Sequence, residues 1–320
     1  MKFAVAALLG TTSAYEAMRA REYEFMSFIA KHGKSYGTKA EYNFRMELFE
    51  KFADEVDQFN SMGLNSVHEV NKFADLTMDE RRKFLTGYIQ VEDNKPAKVL
   101  NASNAEPIDW RTQGAVTDVK DQGQCGSCWS FSTTGTIEGA EAIAGNGLNV
   151  LSEQQFVDCN TIINKGCNGG SMAVALMYAA KHQVELEADY PYTAKDGTCS
   201  YDQSKTVTNV SAHENVTPKD ADQFKAALQV GPVSIAIEAD QTYFQSYKSG
   251  TLDQPSSCGE QLDHGVLAVG WGTNDKGENY VIVKNSWSPT WGDAGYVNLD
   301  LDNNTCGLMD QPLYAVSTKK

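Results

Sequence analysis

Gln122-Gly123-Gln124-Cys125-Gly126-Ser127-Cys128-Trp129-Ser130-Phe131-Ser132 is the stretch on which the reading of this 320-residue chain turns. Two cysteines three apart sit in a Gly-rich turn, and a Trp and a helix-compatible run follow at once. Backbone amides are unpartnered at a helix start, and the helix dipole favours negative charge there. A thiol at that end ionises more readily than a free one. Two chemistries fit the stretch alone: a Cys-x-x-Cys redox pair, or one nucleophilic cysteine beside one bridged cysteine.

The rest of the chain narrows the choice. Its length suits about two domains, and 41% hydrophobic residues are enough for a substantial core. No apolar run reaches the roughly 18 residues of a membrane span, so stable membrane insertion is not expected. A net charge of −15 leaves no basic stripe for phosphates, which argues against nucleic acid as a partner. The charge is uneven: residues 1–103 carry 14 Lys+Arg against 15 Asp+Glu, residues 104–320 carry 13 against 27. Lys2, the apolar run Phe3–Leu9 and small residues through Ala14 read as a secretory signal over residues 1–17. All seven cysteines follow residue 124; an odd number on an oxidising route leaves one thiol free. Asn101, Asn209, Asn215 and Asn303 head Asn-x-Ser/Thr triplets that could carry glycans on that route.

From Tyr15 to Gly63 apolar residues recur at helical steps: Phe25, Phe28, Ile29, then Phe44, Leu48, Phe49, Phe52, Val56, Phe59. Glu41 and Arg45 stand at i,i+4, the order that favours a helical ion pair. Val70–Asp75 reads as a short strand and Asp79–Leu85 as a helix; residues 89–106 read as a linker and domain boundary. Helices are expected at Cys128–Ala144, from a Ser152/Gln155 capping box to Cys159, at Ser171–Lys181 and at Asp220–Gln229. Strands are expected at Val233–Ile237, Gly265–Gly270, Tyr280–Val283 and Gly295–Leu299. Helices first and antiparallel-type strands later give an α+β chain, with a helical half and a sheet or barrel half.

Three histidines follow the linker. His182 reads as an exposed helix end and His213 lies in a polar run. His264 opens a strand 136 residues after Cys128, and Asn285 lies 21 residues further on, at the end of the next strand. Adjacent strands would set His264 and Asn285 side by side. His264 would take the Cys128 proton, giving a thiolate–imidazolium pair. The Asn285 carbonyl would accept the second ring N–H, fixing tautomer and tilt, and Trp287 would cover that bond. Gln122 would aim its amide, with the Cys128 N–H, at a developing oxyanion.

In these elements the chain resembles the papain family of cysteine peptidases, as a cathepsin L-like proenzyme. Cys125-Gly126-Ser127-Cys128-Trp129 with Gln122, His264, Asn285 and Trp287 in order is that family's signature. The similarity continues through Asp109-Trp110-Arg111, Cys167-Asn168-Gly169-Gly170, Gly231-Pro232-Val233-Ser234 and Asn285-Ser286-Trp287. It implies a papain-like α+β fold, with a helical left domain and an antiparallel, barrel-like right domain flanking a cleft. It also implies the bridges Cys125–Cys167, Cys159–Cys199 and Cys258–Cys306, which leave Cys128 as the free thiol. Glu41-x3-Arg45-x3-Phe49 with Asn60, and Asn71-x-Phe73-x-Asp75, are similar to the family's inhibitory propeptide, although Phe52, Val56 and Glu69 depart from its usual residues. The division expected is signal 1–17, propeptide 18–103 and peptidase 104–320.

The resemblance further implies that Gly169 and Gly170 pair with an extended substrate, and that Met172, Ala236, Leu262 and Gly265 line the S2 pocket over Gln311. Such a wall suits Leu, Val or Phe at P2, and the neutral polar Gln311 would admit larger or polar side chains. Between Cys167 and Cys199 there is no insertion with paired histidines of the kind that makes relatives trim dipeptides, so endopeptidase action is expected. Ser288-Pro289 replaces the Gly that often follows Asn-Ser-Trp. The implied partners are peptide and protein substrates, the chain's own propeptide as inhibitor, and cystatin-like inhibitors of a monomer; no cofactor or metal is called for. An acidic vacuole, lysosome or extracellular destination fits the leader. A thiol–disulfide oxidoreductase and a peptide-binding relative without catalysis are the rival functions.

Overall fold

The computed structural model describes residues 20–103 and 105–320; the leader expected at 1–17 lies outside the described residues. Helix α1 (residues 20–32) ends at Gly33, whose φ of +61° breaks the long helix that the apolar period suggests. Helix α2 (Lys39–Ser61) restarts on a Thr38 cap. Phe25, Phe28, Phe49, Phe52 and Val56 interlock as a separate small core, each side chain contributing roughly 1.5–3 kcal/mol of burial. Phe44, placed on the same stripe by period, is instead 45% exposed. Arg45 also departs from expectation. It forks onto both Glu80 oxygens at 2.6 and 2.8 Å and reaches the Asp75 carbonyl, while Glu41 accepts the Gly37 N–H. A bidentate guanidinium–carboxylate pair outcompetes a single-contact i,i+4 pair.

Strand β1 (Ser66–His68) lies just before the segment read as a strand. Residues 72–75 form turns, because Asn71 uses its side chain on the Phe73 N–H and the Gln245 carbonyl. A capping box of Thr77 and Glu80 starts α3 (Met78–Leu85). The chain then runs without helix or strand through residues 89–103, makes β2 (Ile108–Asp109) and enters α4 (Cys128–Ile143), α5 (Glu153–Cys159) and α6 (Met172–His182). The sheet half follows: β3 (Val210–Asn215), α7 (Ala221–Val230), β4 (Val233–Ile237), β5 (Tyr247–Leu252), β6 (His264–Thr273), β7 (Asn279–Lys284), β8 (Tyr296–Asp300) and β9 (Leu313–Ser317).

The strands run β1-β5-β8-β7-β6-β4-β9-β3, with β2 also on β6. The sheet is open, not a closed barrel, and β5 meets β8 in parallel. Strand β1, from the N-terminal region, pairs antiparallel with β5 of the later region. Helix α4 fills the centre and is buried along nearly its whole length. Its polar side chains are satisfied: Ser132 donates to the Val266 carbonyl and Thr136 to the Pro232 carbonyl. This packing presses the N-terminus of α4, and with it Cys128, against the start of β6.

Candidate active site

Cys128 is the first residue of α4 and is fully buried. Its Sγ accepts the Gly265 N–H at 3.3 Å, so the thiol lies against the residue that follows His264 on β6. The β6–β7 ladder puts Leu267 opposite Lys284, which carries Asn285 next to the start of β6. The His264 Nε2–H donates to Asn285 Oδ1 at 2.8 Å. That bond puts the ring proton of neutral histidine on Nε2 and leaves a lone pair on Nδ1. Nδ1 is buried and has no hydrogen-bond partner among the described residues. Trp287 stacks on the His264 ring, 4.8 Å between centroids, and shields the bond from water. Burial pushes the Cys128 thiol up to about 12 against the pull of the Gly265 N–H. Burial also holds His264 down to about 4, with Asn285 opposing. Both shifts favour the neutral forms while the cleft is covered.

Gln122 is fully buried and gripped at every polar atom. Its N–H donates to the Ser286 carbonyl and its Oε1 accepts the Ser286 hydroxyl at 2.7 Å. Its Nε2 faces the carbonyls of Phe84 (3.1 Å), Leu85 (3.4 Å) and Cys125 (3.1 Å). The last carbonyls of a helix lack intrahelical partners. Here the end of α3 finds donors in Gln122 and in Trp287 Nε1, which reaches the Leu85 oxygen at 3.0 Å. The N-terminal region thus parks its orphan acceptors on Trp287 and on Gln122, the side chain that sequence reading assigned to an oxyanion.

Beyond α3 the chain crosses the Cys125–Cys167 loop glycine on glycine: a Cβ at Gly87 would fall 2.1 Å from the Gly126 oxygen. It then pairs with the Gly169-Gly170 loop, the Gly170 N–H donating to Gly87 and the Gly170 carbonyl accepting from Ile89, in a parallel bridge centred on Tyr88. Gly170 needs its missing side chain because a Cβ there would stand 2.6 Å from the Trp129 ring. Met172 and Ala236 are buried in the helical-half core, and Leu262 and Tyr88 pack against it. A Cβ at Gly265 would stand 3.0 Å from the Met172 sulfur. The Tyr88 hydroxyl donates to Gln311 Oε1. Tyr88 thus packs against the cluster that holds Met172 and Ala236 while its hydroxyl meets Gln311.

The bridges Cys125–Cys167, Cys159–Cys199 and Cys258–Cys306 are formed and Cys128 is free, so Cys125 and Cys128 are not a redox pair here. Sequence reading missed several contributors. Asp263 offers its carbonyl to the N–H groups of Gly87 and Tyr88. His213 is a buried member of β3 whose Nε2 meets Asp93 at 2.7 Å, pinning the segment read as a linker. Tyr192 touches Gln122 and Ser127. None of these carries a local signal beyond residue type. Ser288 has a φ of +76°, the left-handed backbone that explains why glycine is common there. Among the described residues no cluster of His, Cys, Asp or Glu is placed to hold a metal, and no helix is long and apolar enough to cross a membrane.

The chain is similar to known proteins. Residues 104–316 match the papain family cysteine protease profile, and residues 25–80 match the cathepsin propeptide inhibitor domain (I29). Digestive cysteine proteinase 2 of Homarus americanus is 39% identical over 321 residues, spanning 96% of this chain and 97% of that protein. A cathepsin L-like peptidase of Aedes aegypti is 38% identical, with 95% of each covered. The structure of digestive procathepsin L 3 from Tenebrio molitor larval midgut superposes with a TM-score of 0.84 at 33% identity, over 92% of this chain and 99% of that one. With its protease domain, its N-terminal inhibitor domain and these relatives, the chain belongs to the papain family of cysteine proteases and is a proenzyme of that family.

Proposed function

We propose that this proenzyme is a secretory-pathway endopeptidase, bound for an acidic vacuole, a lysosome or the extracellular space, that cleaves peptide bonds through Cys128, His264 and Asn285. The reading divides the chain into a signal at 1–17, an inhibitory propeptide at 18–103 and the peptidase at 104–320. The observation that carries it is the bond from His264 Nε2 to Asn285 Oδ1, which leaves Nδ1 as the free base on the strand that meets the Cys128 sulfur. Three disulfides support an oxidising route.

Once the propeptide leaves, water returns to the cleft and the thiolate–imidazolium pair becomes accessible. The thiolate attacks the peptide carbonyl, and Gln122 Nε2 and the Cys128 N–H hold the oxygen that gains charge. The imidazolium gives its proton to the departing amine, leaving a thioester on Cys128. Neutral His264 then takes a proton from water, the hydroxide attacks the thioester, and the acid and thiol are released. Gly169 and Gly170 pair with the substrate backbone; Met172, Ala236, Leu262, Gly265 and Gln311 receive P2; Trp287 walls the leaving-group side. Activation follows loss of residues up to about 101–106. Titration of the processed protein with an epoxide active-site reagent, read by mass spectrometry, is expected to label Cys128 alone and abolish peptide hydrolysis. A Cys128→Ala protein that still hydrolyses peptides would overturn the mechanism.

A further inference from the structure

Tyr192 belongs to none of the roles above, yet its hydroxyl sits between the two ends of the loop that leads into Cys128. It donates to the Gln122 carbonyl at 2.8 Å and accepts the Ser127 hydroxyl at 2.6 Å. The direction is forced: a phenol has one proton, the Gln122 oxygen is only an acceptor, and so Ser127 supplies the second hydrogen. We propose that Tyr192 is a positioning residue for the oxyanion-binding loop, holding Gln122 and the residue before Cys128 in one fixed relation. This rests on the reading of Gln122 as an oxyanion donor.

Three further observations support it. Ser127 is the N-cap of α4, where a serine ordinarily accepts from the first helical amides. Here it makes no such bond and has non-extended backbone, φ −105° and ψ 14°; its hydroxyl is turned to Tyr192. The Ser127 carbonyl takes the Ser130 N–H at 2.8 Å, but its hydroxyl caps none of the α4 amides, so those of Cys128 and Trp129 stay available to charge developing at the Cys128 sulfur or the substrate oxygen. Second, Tyr192 is itself held: its ring meets Phe131 of α4 edge-on at 4.9 Å and its N–H donates to Glu187 Oε1. Third, Gln122 is clamped from both halves of the molecule, by Tyr192 on its carbonyl and by Ser286 of the sheet half on its N–H and Oε1. Ser286 fixes which way the amide points; Tyr192 fixes where the residue stands relative to α4.

The full-length proenzyme carrying Tyr192→Phe, processed and assayed on peptide substrates, tests this. The ring and its packing on Phe131 are kept, and two partly buried hydrogen bonds are lost. The expected result is a fall in kcat of about 10-fold with KM within about twofold. Inhibition by a peptide aldehyde, whose adduct carries the same tetrahedral oxygen, is expected to weaken by about the same factor. Alkylation of Cys128 by iodoacetamide forms no oxyanion, so its rate and pH profile should stay as in the parent. Ser127→Ala is expected to give the same pattern, and the double variant to be no worse than Tyr192→Phe. Unchanged kcat in the folded variant, or an alkylation rate that falls in step with kcat, overturns the proposal, because a merely structural defect would move both. If Tyr192→Phe does not fold, Ser127→Ala decides by the same criteria. Gln122→Ala serves as the control: unchanged kcat there sinks the oxyanion assignment, and the Tyr192 proposal with it.

Discussion

His68 is a natural place to ask why acid should open this zymogen. It lies on β1, 3% exposed, with Nε2 on the Ser66 hydroxyl at 3.0 Å and Nδ1 on the Ser246 hydroxyl at 2.9 Å. Phe59 and Tyr243 close over the ring, so the contact joins propeptide to protease. Burial holds the imidazole down to about 4 from its usual 6.5. A depressed histidine binds fewer protons in the closed state than in the open one between those two values. The closed state is thus unpenalised above pH 6.5 and loses stability as pH falls toward 4. At about pH 5, between those values, the loss is about 2 kcal/mol or roughly 30-fold. Glu80, the partner of Arg45, acts only at lower pH: Arg45 and then the Thr77 contacts hold its carboxyl at about 2 against its usual 4.5, so the closed state loses that stabilisation only as pH falls below 4.5. The expectation is tested in the full-length Cys128→Ser zymogen, which cannot process itself, with and without His68→Gln. Glutamine can bond to both serines and does not titrate. Between about pH 7 and pH 5 the parent should lose about 2 kcal/mol more unfolding free energy than the His68→Gln variant, measured by denaturant titration. If the two titrations shift in parallel, His68 is not the titrating group and the reasoning fails.

Gln122→Ala, which removes one oxyanion donor, should lower kcat by about 10²–10³ with little change in KM, read by steady-state kinetics after processing. Gly87→Ala would drive a methyl into the Gly126 carbonyl; the unprocessed zymogen should then leak peptidase activity, measured in the first minutes before processing begins. Ser288→Gly relieves a left-handed backbone and should stabilise the protease by about 1 kcal/mol, seen as a raised Tm. The contact of the Tyr88 hydroxyl with Gln311 implies that P2 tyrosine is favoured over phenylalanine. Gln311→Leu should reverse that order in a peptide-library profile.

The features legible in the sequence are those whose cause is local. The start of α4, the Ser152 hydroxyl accepting from Gln155 at the start of α5, and β6 and β7 each announce themselves by period, cap or β-branched content. The reciprocal half of that cap does not form: Gln155 Nε2 goes to Tyr178 and the Gln183 carbonyl, partners 23 and 28 residues away. The same holds for Arg45, whose true partner Glu80 lies 35 residues on, and for β1, three residues long and stable only through β5. His213 reads as solvated because its neighbours are polar, but the strap around Asp93 covers it. The Cys128–His264–Asn285 grouping is legible only because spacing along adjacent strands converts to proximity. Tyr192 acts through a hydroxyl and a fold, and nothing around it in the chain marks that.

The pairing of β1 with β5 has a consequence for the processed enzyme. Residues 247, 249 and 250 of β5 take β1 as their ladder partner, whereas 251 and 252 take β8. Discarding the propeptide therefore strips one half of a strand and leaves the other half stapled. Tyr247 keeps its ring against Trp291, so the bared half stays tethered while its amides meet solvent. Such a segment opens locally at low free energy. Amide exchange at Ser249 and at Thr251, whose N–H donates to the Asn65 carbonyl at 2.9 Å, should accelerate on activation while Leu252 stays slow, which would record propeptide departure at a place remote from the cysteine.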